Sequence, residues 1–313
     1  MERGNQTQVT EFLILGFSNH PDLQVLLFVV FLCIYLVNLT GNLVILTLVC
    51  IDPQLHKPMY FFLSNLALLD ICFTSTTFPR MLVSFVTEDR TISFSSCLAQ
   101  LYFFLSFAST EFFLLTAMAY DRYAAICNPL RYHHIMNRRV CVQLVAASWI
   151  TGLLDIAPHT AMTSQLLFCD SHLINHFCCD LTALIELSCS DTSAIEMLVL
   201  TENMCLVTGC FLLTLMSYVY IICAIRRIRS AEGRRKAFST CSSHLVSVTL
   251  LYGTVFCVYM RPASLYSMDQ NKLSAVLYNA VVPMLNPIIY SLKNKEVKRA
   301  LRNIKAWKII LQT

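Results

Sequence analysis

Seven long apolar stretches dominate this chain and decide what it can fold into. They run approximately Leu23–Val49, Pro58–Val83, Cys97–Ile126, Val140–Ala161, Ala194–Ile225, Phe238–Met260 and Leu273–Leu292. A helix needs about 20 apolar residues to cross the hydrocarbon core of a bilayer. Inside that core every backbone polar group must be satisfied within the protein, so a spanning element is a helix or part of a closed barrel. Stretches of this length are helical. Only 13% of the residues are charged and 56% are hydrophobic, against about 25% charged in ordinary soluble domains. The expected fold class is therefore an all-α membrane protein of seven transmembrane helices. Its parts are an N-terminal segment 1–22, a seven-helix domain 23–292 and a tail 293–313.

The distribution of Lys and Arg predicts the orientation. With the N-terminus outside, 18 of the 23 basic residues fall on the inner face, and only Arg3, Arg80, Arg90, Arg261 and Lys272 stay outside. Basic residues are retained on the cytoplasmic side, so the chain is expected in the plasma membrane with an extracellular N-terminus and a cytoplasmic C-terminus. The same charges suit anionic lipid headgroups. No basic start followed by an apolar core precedes the first span, which is expected to act as its own insertion signal. Asn5-Gln6-Thr7 is a glycosylation acceptor on the lumenal side.

Of the 15 cysteines, five lie on the outer side: Cys97, Cys169, Cys178, Cys179 and Cys189. That compartment is oxidising, so disulfides are expected there, with one thiol left over. His172, His176, Cys178, Cys179 and Asp180 lack a closed four-ligand zinc pattern, and no metal site is assigned.

Polar residues inside the spans carry the most information. Asp70, Glu111, Asn286 and Tyr290 sit among apolar neighbours. Each is either a polar staple between helices or part of a site. Asp70 and Glu111, with no basic partner in a neighbouring span, are candidates to share a sodium ion or a proton. Pro287 interrupts the ladder of the last span and allows a kink. At the inner end of the third span stand Asp121, Arg122 and Tyr123. Arg122 is either an interfacial anchor that snorkels to the headgroups or a switch, held by Asp121 in one state and released in another. After Tyr290, the spacing of Val297, Leu301 and Ile304 predicts an amphipathic helix on the inner surface. RRIRSAEGRRKAF, between the fifth and sixth spans, reads as a basic loop that partly serves as a docking surface.

These residues resemble a known family. GNLVIL, LHKPMYFFLSNLALLDIC, MAYDRYAAICNPLRY, KAFSTCSSHL and PMLNPIIYSLKNKEV, preceded by TEFLILGFS, are similar to the strings of odorant receptors of the tetrapod-type group, within the rhodopsin-like G-protein-coupled receptors. The resemblance runs from Thr10 to about Leu301. It implies bridges Cys97 to Cys179 and Cys169 to Cys189, with Cys178 unpaired where relatives carry an aromatic. It implies an inner switch of Asp121, Arg122 and Tyr123, a hinge of Asn286, Pro287 and Tyr290, and a core ion or water site at Asp70 and Glu111. It also implies a partner, a heterotrimeric G protein of the stimulatory olfactory type that raises cyclic AMP.

The resemblance puts the ligand between the outer halves of the third, fifth, sixth and seventh spans, under the second outer loop. Helical spacing projects Phe104, Leu105, Ala108 and Ser109 from the third span, and Asn203, Leu206 and Val207 from the fifth. Val255, Phe256 and Tyr259 come from the sixth, and Asn279 from the seventh. Amine receptors of similar fold place an aspartate where this chain has Phe104, so the expected ligand is a small, neutral, mostly apolar volatile held by Ser109, Asn203 or Tyr259. A metabolite receptor of the same fold is the alternative. A transporter would show repeated halves and paired broken helices, which the sequence lacks. His159, His244 and Ser109 are scattered over different spans and compose no nucleophile–base pair, so no catalytic residue or cofactor is expected, and no nucleic-acid partner.

Overall fold

A computed structural model describes residues 9–17, 23–87, 89–169, 172–259, 275–293 and 295–310, with side chains for all of these except 257–259, 277, 291–293, 295 and 304–310. Asn5 lies outside the described residues.

Helices form wherever the apolar stretches run. They are α1 (Gln24–Ile51), α2 (Pro58–Val86), α3 (Phe94–Cys127), α4 (Arg138–Thr163) and α5 (Ser193–Arg227). Then come α6 (Ala231–Tyr259), α7, which opens with a π-helical turn Leu277–Val281 and continues as Val282–Lys293, and α8 (Lys295–Ile310). The first five are long and apolar enough to cross a membrane. Their outward residues are apolar too, as in Val25, 77% exposed, and Leu154, 67% exposed, which is the pattern of helices bathed in lipid. The ends follow local chemistry. Pro58 begins α2 where a missing N–H costs nothing. The Ser93 and Asn137 side chains accept from Ser96 N at 3.3 Å and Val140 N at 3.1 Å, capping α3 and α4.

The basic segment before α6 departs from the expected loop. Only residues 228–230 separate α5 from α6, and α6 begins seven residues before the apolar stretch at Phe238. Ala, Glu, Arg and Lys are strong helix formers, and Ser230 Oγ accepts from Gly233 N at 3.1 Å to start the first turn.

The central helix is α3, packed on α2, α4, α5 and α6. Two small residues allow close crossings. Gly152 of α4 lies directly on the α3 backbone at Thr110 and Ser106, and Gly41 of α1 lies on Pro287 of α7. Small residues at such crossings let helices approach closely in lipid, where packing is the main attraction.

One end of the bundle carries a small sheet that the reading of 1–22 as a plain segment did not contain. Strand β1 (Glu11–Ile14) pairs antiparallel with β2 (Thr91–Ser93) and parallel with β3 (Leu173–Ile174). Phe12 and Ile14 alternate inward, 1% and 6% exposed, and Phe12 meets Phe168 edge-on at 5.0 Å. Gly16 closes the strand at φ +54, a left-handed conformation that glycine adopts readily. Disulfides Cys97–Cys179 and Cys169–Cys189 fasten the loop carrying β3 to α3 and to itself. Cys178 stays a buried thiol, 3.3 Å from His176 Nδ1. Burial, then Asp180, holds its pKa well above the ordinary range.

Candidate functional site: a ligand cavity and an opposite crevice

At the sheet-bearing end a cavity of about 190 Å³ opens between α3, α5, α6 and α7, roofed by His176, Asp180 and Thr182. Phe104, Leu105, Ala108 and Ser109 line it from α3, Asn203, Leu206 and Val207 from α5, Val255 from α6 and Asn279 from α7. Phe256 does not. One residue further round α6, it is 38% exposed and packs edge-on against Phe211 at 5.5 Å. The side chain of Tyr259 lies outside the described residues. The projection missed Phe112, Glu202, Thr254 and Tyr278, which also line the cavity. Phe112 is one turn beyond Ala108 and was within reach of the same spacing rule.

Both π-helical turns among the described residues, Asn203–Val207 and Leu277–Val281, contribute to this cavity. A π turn inserts a residue into the helix, rotates the next turn about the axis, and recurs at functional sites. No hydrophobic period in the sequence announces one.

The polar side of the cavity is more elaborate than single hydroxyls. Ser109 Oγ donates to Asp155 Oδ2 at 3.0 Å, so its proton is committed and its lone pairs are what it offers the cavity. His159, 3% exposed, places Nε2 2.6 Å from Glu202 Oε2 and Nδ1 3.3 Å from the Asp155 carbonyl. The Asp155 and Glu202 carboxyls are close neighbours. On the far wall Asn279 is 2% exposed, and both its amide atoms lack a partner among the described residues.

Halfway along the bundle, Asn286 Nδ2 donates to Asp70 at 3.1 Å (Oδ2) and 3.3 Å (Oδ1) and lies against Glu111 as well. Glu111 Oε1 is buried without a partner among the described residues. Pro287 sits inside α7 and Tyr290, fully buried, one turn below.

At the opposite end Arg122 is only 5% exposed, which removes the snorkelling anchor as an explanation. Its Nε donates to Asp121 Oδ2 at 3.0 Å, its Nη2 bonds the same oxygen more closely, and Tyr132 OH donates to Oδ1 at 2.7 Å. Burial, then Asp121, raises the Tyr132 phenol, so it remains a donor. Arg122 borders a crevice of about 880 Å³ lined also by Lys57, Tyr132, Arg235, Lys236 and Glu296. Tyr123 turns away and packs on Tyr220 at 5.8 Å. Just above, His244 Nε2 faces the Leu115 carbonyl at 3.0 Å, and Tyr218 OH lies 2.6 Å from Nδ1. A carbonyl only accepts, so Nε2 carries the proton and Nδ1 accepts from the phenol. That contact ties α3, α5 and α6 together above the crevice.

The family model described as olfactory receptor matches residues 31–308. "Olfactory receptor 5AP2" of Mus musculus is 51% identical over 304 residues, 97% of this chain and 96% of the relative. "Olfactory receptor 5M5" of Mus musculus is 51% identical over 310 residues, 99% and 96% of the two chains. "Olfactory receptor 5AP2" of Homo sapiens is 51% identical over 307 residues, 98% and 97%.

Proposed function

This chain belongs to the olfactory receptor family, and from that premise we propose that it binds a small, neutral, mostly apolar volatile in the cavity under the sheet. We infer that it answers by admitting a stimulatory olfactory-type G protein at the opposite crevice, raising cyclic AMP. Members of the family are seven-helix membrane receptors of small odorants that couple to G proteins and are not enzymes. In this reading the sheet-bearing end is extracellular, where its two disulfides persist, and the Arg122 crevice and α8 are cytoplasmic.

The observation that carries the reading is the pairing of two openings at opposite ends of one bundle. The cavity is walled by apolar side chains with a few polar groups, as small-ligand sites are. The crevice is bordered by a buried guanidinium held on Asp121, whose other oxygen accepts from Tyr132. A ligand acts by binding one arrangement of the helices better than the other. The element with two arrangements is the Asp121–Arg122 pair together with the α3–α5–α6 contact at His244. Opening breaks these and frees Arg122 for the partner. Asp70, Glu111 and Asn286 join the halves, and Glu111 Oε1 is the atom to which a shared proton or sodium ion would bind.

The test is cyclic AMP output from cells displaying the receptor with an olfactory-type G protein, across a panel of neutral and charged volatiles, against Arg122→Ala at matched surface level. A ligand-dependent rise that the variant abolishes supports the reading. A rise of equal size in Arg122→Ala overturns the switch. Filling the cavity with Ala108→Phe is expected to abolish responses without loss of display.

A further inference from the structure

The cavity wall between α3, α4 and α5 holds more titratable groups than an apolar pocket requires, and its hydrogens can be accounted for one by one. His159 Nδ1 faces the Asp155 carbonyl at 3.3 Å, which only accepts, so this nitrogen carries hydrogen. Nε2 lies 2.6 Å from Glu202 Oε2, an ion pair when the ring is protonated. The Ser109 proton goes to Asp155 Oδ2 at 3.0 Å. Asp155 stands beside Glu202, and two neighbouring carboxyls ionise together less readily than one alone. The Ser109 and His159 Nδ1 hydrogens are thus used within the cluster. Lone pairs remain towards the cavity, on Glu202, whose side chain is 19% exposed, and on Ser109 Oγ.

We propose that this cluster makes the receptor selective for ligands that donate a hydrogen bond, an alcohol or phenol whose O–H donates to the Glu202 carboxyl, over the ether or aldehyde of the same skeleton. The inference rests on the reading that this cavity holds the ligand. An acceptor-only ligand sets its own lone pairs against those of Glu202 and Ser109 and leaves the cavity-facing lone pairs of the carboxyl dehydrated and unmatched. Leaving a buried polar group unmatched is the most effective way for a site to reject an analogue. A hydroxyl replaces the lost water with a charge-assisted bond. Among the described lining residues none is Lys or Arg, so no cation neutralises the preference from inside the cavity. The Asn279 amide, without a partner among the described residues, stands on α7, across the cavity from α5, and serves a second polar group or the ligand hydroxyl oxygen. His159 and Asp155 do not touch the ligand and are positioning residues: they hold the Glu202 carboxyl and use up the protons that would otherwise turn it into a donor.

The experiment is a set of dose–response curves in displaying cells for benzyl alcohol, benzyl methyl ether and benzaldehyde, and for n-alkanols with their methyl ethers and aldehydes. Alcohols are expected to act at concentrations at least about tenfold lower than the matched ethers and aldehydes, the discrimination set by one hydrogen bond to a charged group. Glu202→Gln, which presents an amide donor in the same shape, is expected to shrink that ratio at least about tenfold and to improve aldehydes. Equal potency of ethers or aldehydes on the wild-type receptor overturns the proposal without any variant. So does a Glu202→Gln receptor at matched display that keeps the wild-type ratio. Ala108→Phe separates the two readings. If it responds to all compounds as wild type does, the cavity assignment falls. If it loses them all while wild type fails to discriminate, only the donor preference falls.

Discussion

Replacing Gly152 with alanine is expected to push α3 and α4 apart and to weaken both the fold and the cavity wall. A Cβ at this position would run into Thr110 Oγ1 and stand 2.8 Å from Thr110 N and 2.9 Å from Ser106 O. Non-bonded carbon contacts settle near ~3.5 Å. The threonine hydroxyl can rotate away, at the expense of its 2.7 Å bond to Ser106 O, but the two backbone atoms cannot. The helix axes must therefore separate by roughly half an ångström or more locally. Overpacking of this kind costs about 1–3 kcal/mol, and in lipid no hydrophobic gain between helices offsets it. Gly152 lies one turn from Asp155, so the same displacement stretches the 3.0 Å Ser109–Asp155 bond. The assay is thermal melting of the detergent-solubilised receptor together with surface display. Gly152→Ala should melt lower and display less. Adding Thr110→Ala should restore only part of the loss, because the contacts with Thr110 N and Ser106 O persist. A Gly152→Ala receptor with wild-type melting refutes the reasoning. Full recovery in the double variant refutes its backbone part and assigns the spacing to the threonine side chain alone.

Three further outcomes are expected. Cys97→Ser opens a link across 82 residues and Cys169→Ser one across 20, worth ~4–5 and ~3 kcal/mol of loop-closure entropy respectively; flow cytometry should find the first variant less displayed than the second. Asp121→Asn removes the charge that holds the buried Arg122 and should raise ligand-independent cyclic AMP, whereas Tyr132→Phe, which loses one bond of about 1 kcal/mol, should raise it less. Equal, unchanged basal signals in both would remove the Asp121 cluster as the latch. At the α8 junction, burial disfavours the charged Glu296 carboxyl, but bonds from Lys57 at 2.7 Å and Tyr60 at 2.9 Å outweigh this and hold its pKa below the ordinary 4.5. A lowered folded pKa stabilises above the unfolded value and loses that contribution as pH falls through the folded one. Protection factors of α8 amides, corrected for the intrinsic exchange rate at each pH, should therefore fall on acidification below about pH 4.5, and Lys57→Ala should weaken that dependence.

Much of the cavity was readable because a helix repeats its faces with a fixed period. Phe104, Leu105, Ala108 and Ser109 share a face by spacing alone, and all four line the cavity. Phe256 failed because the cavity-facing neighbour of Val255 is Thr254, on its other side, while Phe256 turns outward onto Phe211. Arg122 was legible as a residue of interest but not as a buried one, since its position relative to Asp121 and Tyr132 depends on how the short helix Tyr132–Ile135 folds back beneath α3.

By itself the sequence determined the class: seven apolar stretches with few charges can satisfy their backbones in a bilayer only as helices, and the asymmetry of Lys and Arg predicts which way they cross. Tertiary structure alone decided what the polar residues do. Ser109, Asp155, His159 and Glu202 lie on three helices and up to 93 positions apart, and they form one cluster because Gly152 lets α4 rest on α3. The π turns in α5 and α7 and the three short strands that meet from residues 11–14, 91–93 and 173–174 were equally beyond reach. Hydrophobic period reports one helix against its surroundings. Hydrogen-bond partners and helix crossings are long-range contacts, chosen by the packed bundle as a whole.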